Sequence, residues 1–396
     1  MSTPLELLVV HSDDLGMRFG GGHPTDQRRH VLAVALMRAA GILDAPGVRY
    51  EPAPADPMPD EELERVFAPA FVRAMRRYST NPMFAAEPQA RQWGIGGDNN
   101  AYPGMHDDSA RSCAACARAA RAVAAGEAVR ALAPSGGAHH GMTNQAQGFG
   151  IYNETAVAVQ ELLDAGLERV AYIDVDVHHG NGTQWIFYDD PRVLTVSVHE
   201  TGRHLFPGSG FPAETGGAEA PGTAANVALP PFAGDDAYRL TMAELVVPVV
   251  RDFAPKAIVT QNGVDHHHED PLSHLLTTMS LYPEIWRTLK ALADEVCGGR
   301  WVALGGGGYN PLVAPPRAWA ALAAEMAGVE FHDPLPEIWR EQMRKQGVES
   351  PPLGWTEDPG PDPDADRDRL ALEQSRAAVE QSRVALGRFF PSLQTG

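Results

Sequence analysis

The segment Val170-Ala-Tyr-Ile-Asp-Val-Asp-Val-His-His-Gly-Asn-Gly182 begins as an apolar strand and ends in a polar, glycine-rich turn. Residues two apart on a strand share a face, so Asp174, Asp176 and His178 line one side while Val175 and Val177 pack on the other. In an open α/β sheet such a strand ends at the carboxyl edge, where ligands bind. Two neighbouring carboxylates in an apolar setting repel each other and lose hydration unless a cation holds them. A divalent metal supplies that cation. Charges merely solvated at a surface strand end fit poorly beside Ile173, Val175 and Val177.

Outward from this segment, short apolar runs alternate with helical patterns. Leu7 to Val10 precedes a helix around Arg28 to Ala40, and further strands are predicted at Val193 to Val198, Ala257 to Thr260 and Trp301 to Leu304. Helices over Thr155 to Ala165 and Ala237 to Phe253 separate them. The pattern predicts one large α/β domain over residues 1–345, a mainly parallel multi-stranded sheet flanked by helices. Pro351 to Asp366 is dense in Pro, Asp and Gly, which predicts an exposed linker over 346–365. A C-terminal helical tail, 366–396, follows. In it Glu373-Gln-Ser-Arg376 recurs seven residues later as Glu380-Gln-Ser-Arg383. Both a helix docked on the body and a coiled-coil contact to a second subunit fit that register, although two heptads are short for a coiled coil.

Composition narrows the function. The 396 residues carry 32 Lys+Arg against 51 Asp+Glu, a net charge of −19. With no basic cluster, affinity for nucleic-acid phosphates or for an anionic membrane is not expected. Three cysteines are too few for a disulfide framework, which points to a reducing cytoplasm. Cys113-Ala-Ala-Cys116 lies in the Ala-rich run Ala114 to Ala125 and reads as helix packing, not as a redox or zinc motif. The start of the chain lacks a basic segment, and its apolar stretch Leu7 to Val10 is only strand-length, so neither a signal peptide nor a membrane anchor is predicted.

A further metal ligand should come from another strand end. Gln261-Asn-Gly-Val-Asp265 follows Ala257 to Thr260 in the same strand-then-polar manner, making Asp265 the natural partner of Asp176 and His178. Two carboxylates and one imidazole leave a coordination position open, as in catalytic sites. Gly136-Gly-Ala-His139-His140-Gly141 places two histidines in a glycine-rich bend. A surface loop is one reading; the other is a general base, whose second ring nitrogen needs an acceptor such as Asp174 or Asn181. Trp301 to Leu304 runs into four glycines and Tyr309. No Gly-Lys-Ser/Thr follows, so a phosphate loop is disfavoured. A plain turn or a close approach to a ligand remains, the latter with the Tyr309 hydroxyl placed to donate to a developing oxyanion.

Taken in order, these motifs resemble the zinc-dependent histone deacetylase family of the arginase-deacetylase fold, from about Val9 to about Trp339. His23-Pro24 to Arg28, Gly104-Met105, Gly148-Phe149 and Phe206-Pro-Gly-Ser-Gly210 add to the match. Asp270-Pro-Leu-Ser-His-Leu275 and Tyr309 through Trp319 are similar to the bacterial acetoin-utilisation branch. The resemblance implies that Asp176, His178 and Asp265 bind Zn2+, with Fe2+ and Co2+ suited to the same donors. It implies that Asp174 holds His139, that His140 is the general base and acid, and that Tyr309 polarises an acetyl carbonyl. Phe149 and Phe206 would wall a tunnel for acetyl-lysine, with Gly307 beside the substrate and Asp98 as a rim carboxylate. Arg28 matches a buried arginine lining an acetate exit. K+ would be bound by Asp174, Asp176, His178, Ser197 and Val198. The implied substrate is an acetylated protein, acetyl-CoA synthetase, in acetoin and acetate use; acetylated small amines such as polyamines are the alternative, and a non-catalytic acetyl-lysine binding module a more distant one. Two departures stand out. Asn181 replaces an aspartate carried by many members, and His266-His267-His268 beside Asp265 reads as a rim loop or an extra metal site.

Overall fold

The computed structural model describes residues 5–394. Its centre is an eight-stranded sheet: β1 (Leu5–Val10), β2 (Val48–Glu51), β3 (Ala128–Ala133), β4 (Val170–Asp174), β5 (Val193–Glu200), β6 (Ala224–Leu229), β7 (Ala257–Gln261) and β8 (Trp301–Leu304). The order is β2-β1-β3-β8-β7-β4-β5-β6, and every pairing is parallel. A parallel sheet must be covered on both faces, because its strands are joined by crossovers. Alternation along β1 shows the consequence: Leu7 and Val9 join one apolar layer, Leu8 and Val10 the other. The first layer is roofed by helices Arg28–Ala39, Leu281–Cys297 and Ala314–Ala327, the second by Pro69–Thr80, Met105–Ala124 and Glu154–Asp164.

Five strands coincide with the apolar runs read from the sequence; β2, β3 and β6 do not. The edge strand β2 carries Arg49 and Glu51, and β3 reads as a continuation of the Ala-rich helix before it. That helix is stopped by Gly126, whose φ of 70° is costly for other residues. The predicted helix over 237–253 forms, but its centre, Met242–Val246, widens into a π turn. Pro248, which lacks an amide hydrogen and crowds the carbonyl a turn earlier, lies just beyond.

The predicted exposed linker over 346–365 is corrected. Trp355 is buried, Leu335 N donates to Leu353 O at 2.6 Å, and Arg317 Nη1 donates to Glu357 O at 2.6 Å. The segment is a strap fastened to the body. Beyond it, helix Ala365–Leu386 docks on the chain's own edge strand β6, with Ser382 Oγ donating to Asn226 O at 2.6 Å. Ala371, Ser375, Ala378, Val379 and Leu386 form its buried face. Covering an edge strand in this way protects its unpaired backbone groups. Residues 1–4 and 395–396, the outer ends of the predicted domain and tail, lie outside the described residues. Among the described residues no helix is long and apolar enough to cross a membrane.

Candidate active site

Four neighbouring strands, β3, β8, β7 and β4, release their loops at one carboxyl edge. These loops carry His139 and His140, Gly305 to Tyr309, Gln261 to Asp265, and Asp174 to His178. The sheet order thus gathers segments up to about 170 positions apart in sequence.

Asp176, His178 and Asp265 converge, with ligand atoms all within 4.8 Å of one another and all three side chains buried. His178 Nδ1 lies 2.9 Å from Asp265 Oδ2 and 3.2 Å from Asp176 Oδ1. Burial, and next the adjacent Asp176, push the Asp265 carboxyl up. Burial opposes a charge on His178, but its bonds to Asp176 and Asp265 outweigh it and lift the ring to about 10. Such a donor set demands positive charge at its centre, which is the fit expected of a divalent cation. The backbone is shaped to it: a Cβ added at Gly307 would fall 2.0 Å from Asp265 Oδ2, and one at Gly263 2.1 Å from Asp176 Oδ2. Gly307 N also donates to Asp176 Oδ2 at 2.7 Å.

Both histidines of the glycine-rich bend are buried, which settles the surface-loop alternative against itself. His139 Nδ1 donates to Asp174 Oδ2 at 2.7 Å, and the same oxygen accepts the Tyr172 hydroxyl at 2.5 Å. Burial works against charge on His139, yet Asp174 and Asp176 prevail and raise it. His140 is the opposite case: burial, then His139 and His178, hold it well below the usual histidine range. Its Nδ1 is 2.7 Å from Asn181 Oδ1, and its Nε2 3.1 Å from His139 Nε2. A neutral imidazole with one nitrogen fixed by an acceptor can take up a proton at the other.

Tyr309 packs its ring against Phe149 at 5.6 Å and His178 at 6.2 Å between centroids. Burial raises its phenol well above the ordinary value, so the hydroxyl keeps its proton and acts as a donor. Its amide donates to Asp270 Oδ2 at 2.6 Å. Phe206 lies 4.9 Å from His140 and is partly exposed, so Phe149 and Phe206 flank the way in. Asp98 stands exposed on the adjoining loop; its carbonyl accepts from His23 Nε2 at 3.1 Å, and His23 packs edge-on against Phe149. Asp174, at the end of β4, pairs in register with Ser197 of β5, which brings two of the residues suggested for K+ side by side.

The assignment of Arg28 is corrected. Its side chain is half exposed and paired with Asp26 at 2.6 Å, pointing away from the site. Arg29, one position on, faces inward: Nη1 donates to Gly306 O at 2.9 Å, and the guanidinium lies 5.9 Å from the Tyr309 ring. Helical rotation of about 100° per residue sends two adjacent arginines to different faces. Behind the histidines Arg29, His30, Ser112, Ser135 and Glu154 line an inner chamber continuous with the site. The sequence reading also missed Gln261, whose Nε2 donates to Asp176 Oδ2 at 2.6 Å while Oε1 accepts from Gly263 N at 2.7 Å.

The rim loop predicted for His266-His267-His268 is corrected too. His266 is buried against Tyr238 and bonded to Thr277 Oγ1 at 2.7 Å. His267 and His268 each donate through Nε2 to the strap residue Asp358, at 2.8 and 2.7 Å. These three could be taken for a second metal group. However, His267 Nδ1 accepts the Glu269 amide, which puts the ring proton on Nε2 and leaves no lone pair there. Asp358 also accepts from Met279 N and Gly360 N, so the cluster is a hydrogen-bonded latch.

Comparison with known proteins agrees with this geometry. Residues 23–326 match the histone deacetylase domain. The acetoin utilization protein AcuC of Bacillus subtilis (strain 168) is 36% identical over 365 residues, covering 92% of this chain and 93% of that protein. AcuC of Staphylococcus xylosus is 34% identical over 352 residues, covering 88% and 90%. Among solved structures, a histone deacetylase homologue complexed with SAHA superposes with a TM-score of 0.80 at 24% identity, covering 93% of this chain and 99% of that one. The HDA15 HD domain gives 0.76 at 23% identity, covering 99% and 97%. These last two bear on the fold. The chain belongs to the histone deacetylase family, in its AcuC-type branch, and is a deacetylase.

Proposed function

We propose that this deacetylase hydrolyses the amide of acetylated lysine side chains, giving acetate and the free amine. The observation that carries the reading is the convergence of His140, Tyr309 and the Asp176-His178-Asp265 triad between two aromatic walls. A zinc ion held by the triad would supply a Lewis acid for the acetyl oxygen and lower the pKa of water toward about 7. Fe2+ or Co2+ suits the same donors.

His140, its Nδ1 hydrogen held by Asn181, takes the proton of the attacking water at Nε2. The Tyr309 hydroxyl donates to the oxygen on which charge develops, an interaction worth about 2.7–4 kcal/mol of barrier in comparable sites. His140 then returns its proton to the leaving amine as the C–N bond breaks. His139, bonded to Asp174, keeps the neighbouring imidazole in place. Phe149 and Phe206 suit an unbranched aliphatic stem, and the exposed carboxylate of Asp98 suits the polar backbone or cationic part outside. A pure acetyl-lysine binder would need neither the base nor the oxyanion donor.

The similarity to AcuC proteins supports a role in acetoin utilisation. The protein substrate of this reading is acetylated acetyl-CoA synthetase, met in the cytoplasm. K+ would sit at Asp174, Asp176, His178, Ser197 and Val198, partly through backbone oxygens. The test is acetate release by zinc-loaded protein from an acetyl-lysine peptide and an acetylated polyamine in parallel, with His140→Ala as control. Preference for the peptide, lost in the control, supports the reading. Preference for the polyamine moves the substrate to small acetylated amines, and release from neither sinks it.

A further inference from the structure

Asn181 brings an ambiguity that an aspartate would not. A carboxylate accepts a hydrogen bond through either oxygen, whereas an amide accepts at one end and donates at the other. With Oδ1 toward His140 the imidazole carries its proton on Nδ1 and leaves Nε2 bare. With the amide turned over, Nδ1 must accept, the proton moves to Nε2, and the base is lost. Something other than Asn181 has to choose between the two.

Asn181 is buried, its Oδ1 lies 2.7 Å from His140 Nδ1, and its Nδ2 donates to Gln147 Oε1 at 2.8 Å. We propose that Gln147 is a positioning residue that sets the orientation of the Asn181 amide and thereby holds His140 in its base-competent tautomer. The Gln147 backbone is fixed, its N–H donating to Gly150 O and its carbonyl accepting from Gly150 N, both at 2.9 Å, so its side chain reaches Asn181 from an anchored position with Oε1 as the acceptor. The turn so closed also carries Gly148 and Phe149. Gly148 packs so tightly on His140 that an added Cβ would meet its ring at 2.3 Å. The wall of the tunnel and the orientation of the base thus share one anchored turn. Turning the Asn181 amide over alone, with Gln147 Oε1 facing it, would set two acceptor oxygens against each other in a part-buried contact, so the two amides can turn only together.

The inference rests on the reading of His140 as the base, and the experiment separates the two. Turnover of an acetyl-lysine peptide is measured for zinc-loaded wild type, Gln147→Leu, Gln147→Glu, Asn181→Asp and the double variant Asn181→Asp/Gln147→Leu. Gln147→Leu loses the acceptor and should lower kcat about tenfold with KM changed less than twofold. Gln147→Glu, which can only accept at that position, should recover most of the loss. Asn181→Asp needs no orienting partner, so adding Gln147→Leu to it should change kcat less than twofold. The 15N resonances of His140 should report a proton on Nδ1 in the wild type and a mixture in Gln147→Leu. An equal loss from Gln147→Leu in both backgrounds, or none in the Asn181 background, overturns the proposal. An active wild type with an inactive His140→Ala leaves the base reading standing in either case, while an inactive folded wild type fails that reading itself. In that last event the resonances decide on Gln147 alone: an unchanged His140 tautomer in Gln147→Leu refutes it.

Discussion

Asp270 Oδ2 accepts the backbone amide of Tyr309 at 2.6 Å, tying the glycine-rich turn after β8 to the loop that carries Asp265. The proposed oxyanion donor and a proposed metal ligand therefore belong to one hydrogen-bonded unit, and the two ends of Tyr309 can be tested apart. Tyr309→Phe removes the hydroxyl and keeps the amide bond. Turnover should fall about 10²–10³-fold with KM nearly unchanged. Asp270→Ala frees the turn and should lower thermal stability together with turnover. Unchanged turnover in Tyr309→Phe would remove the hydroxyl from the chemistry.

Arg28 and Arg29 should differ sharply in steady-state acetate release. Arg28 is a half-exposed partner of Asp26, the kind of ion pair worth about 0–1 kcal/mol, and Arg28→Ala should leave turnover within about twofold. Arg29→Ala removes the donor to Gly306 O and empties part of the inner chamber, and should lower turnover at least about tenfold. Equal effects would contradict the distinction.

Glu154 predicts a pH dependence of stability. It is buried and accepts from Ala138 N at 3.0 Å; burial lifts its carboxyl to about 7, against the downward pull of backbone N–H groups. The fold favours the neutral form, so this contribution is complete below about pH 4.5 and is lost as pH rises to about 7, a change of up to about 3 kcal/mol. Denaturant titrations of wild type and Glu154→Gln should show the downward slope across that window in the wild type and its reduction in the variant. Parallel pH profiles would assign the slope elsewhere.

Asp358 serves four donors, two of them the side chains of His267 and His268. Asp358→Ala strands these buried groups and should cost about 2–4 kcal/mol, read as a lower unfolding midpoint. Metal content per chain should stay the same, because the latch holds protons and not an ion. Loss of a second bound equivalent in the variant would show that the cluster is a metal site.

The parts of the structure legible in the sequence are those governed by local pattern. Period-two alternation picked out Asp174 at the end of β4 together with Asp176 and His178 in the loop just beyond it, and the same strand-then-polar pattern picked out Asp265 after β7. Strands β1, β4, β5, β7 and β8 were legible as short continuous apolar runs, the mark of strands covered on both faces. Arg29 was hidden by its neighbour, since only the phase of the helix tells which arginine turns inward. The strap escaped because Pro, Asp and Gly composition describes a chain without partners, whereas Trp355 and Asp358 find theirs 22 and 91 residues upstream. Gln261, Tyr172 and Gln147 act across strand ends and loops, and nothing in their local spacing marks them.

On this geometry Asp176, His178 and Asp265 should hold one divalent cation on which hydrolysis depends. The most direct test is a zinc titration of chelator-treated protein, following bound metal and acetate release from an acetyl-lysine peptide together, beside Asp265→Asn. Activity should be absent before titration, return in step with the first bound equivalent, and stay unrestored in the variant at the same zinc concentration. Full activity in metal-free protein, or normal activity in a variant that takes up no metal, would contradict it.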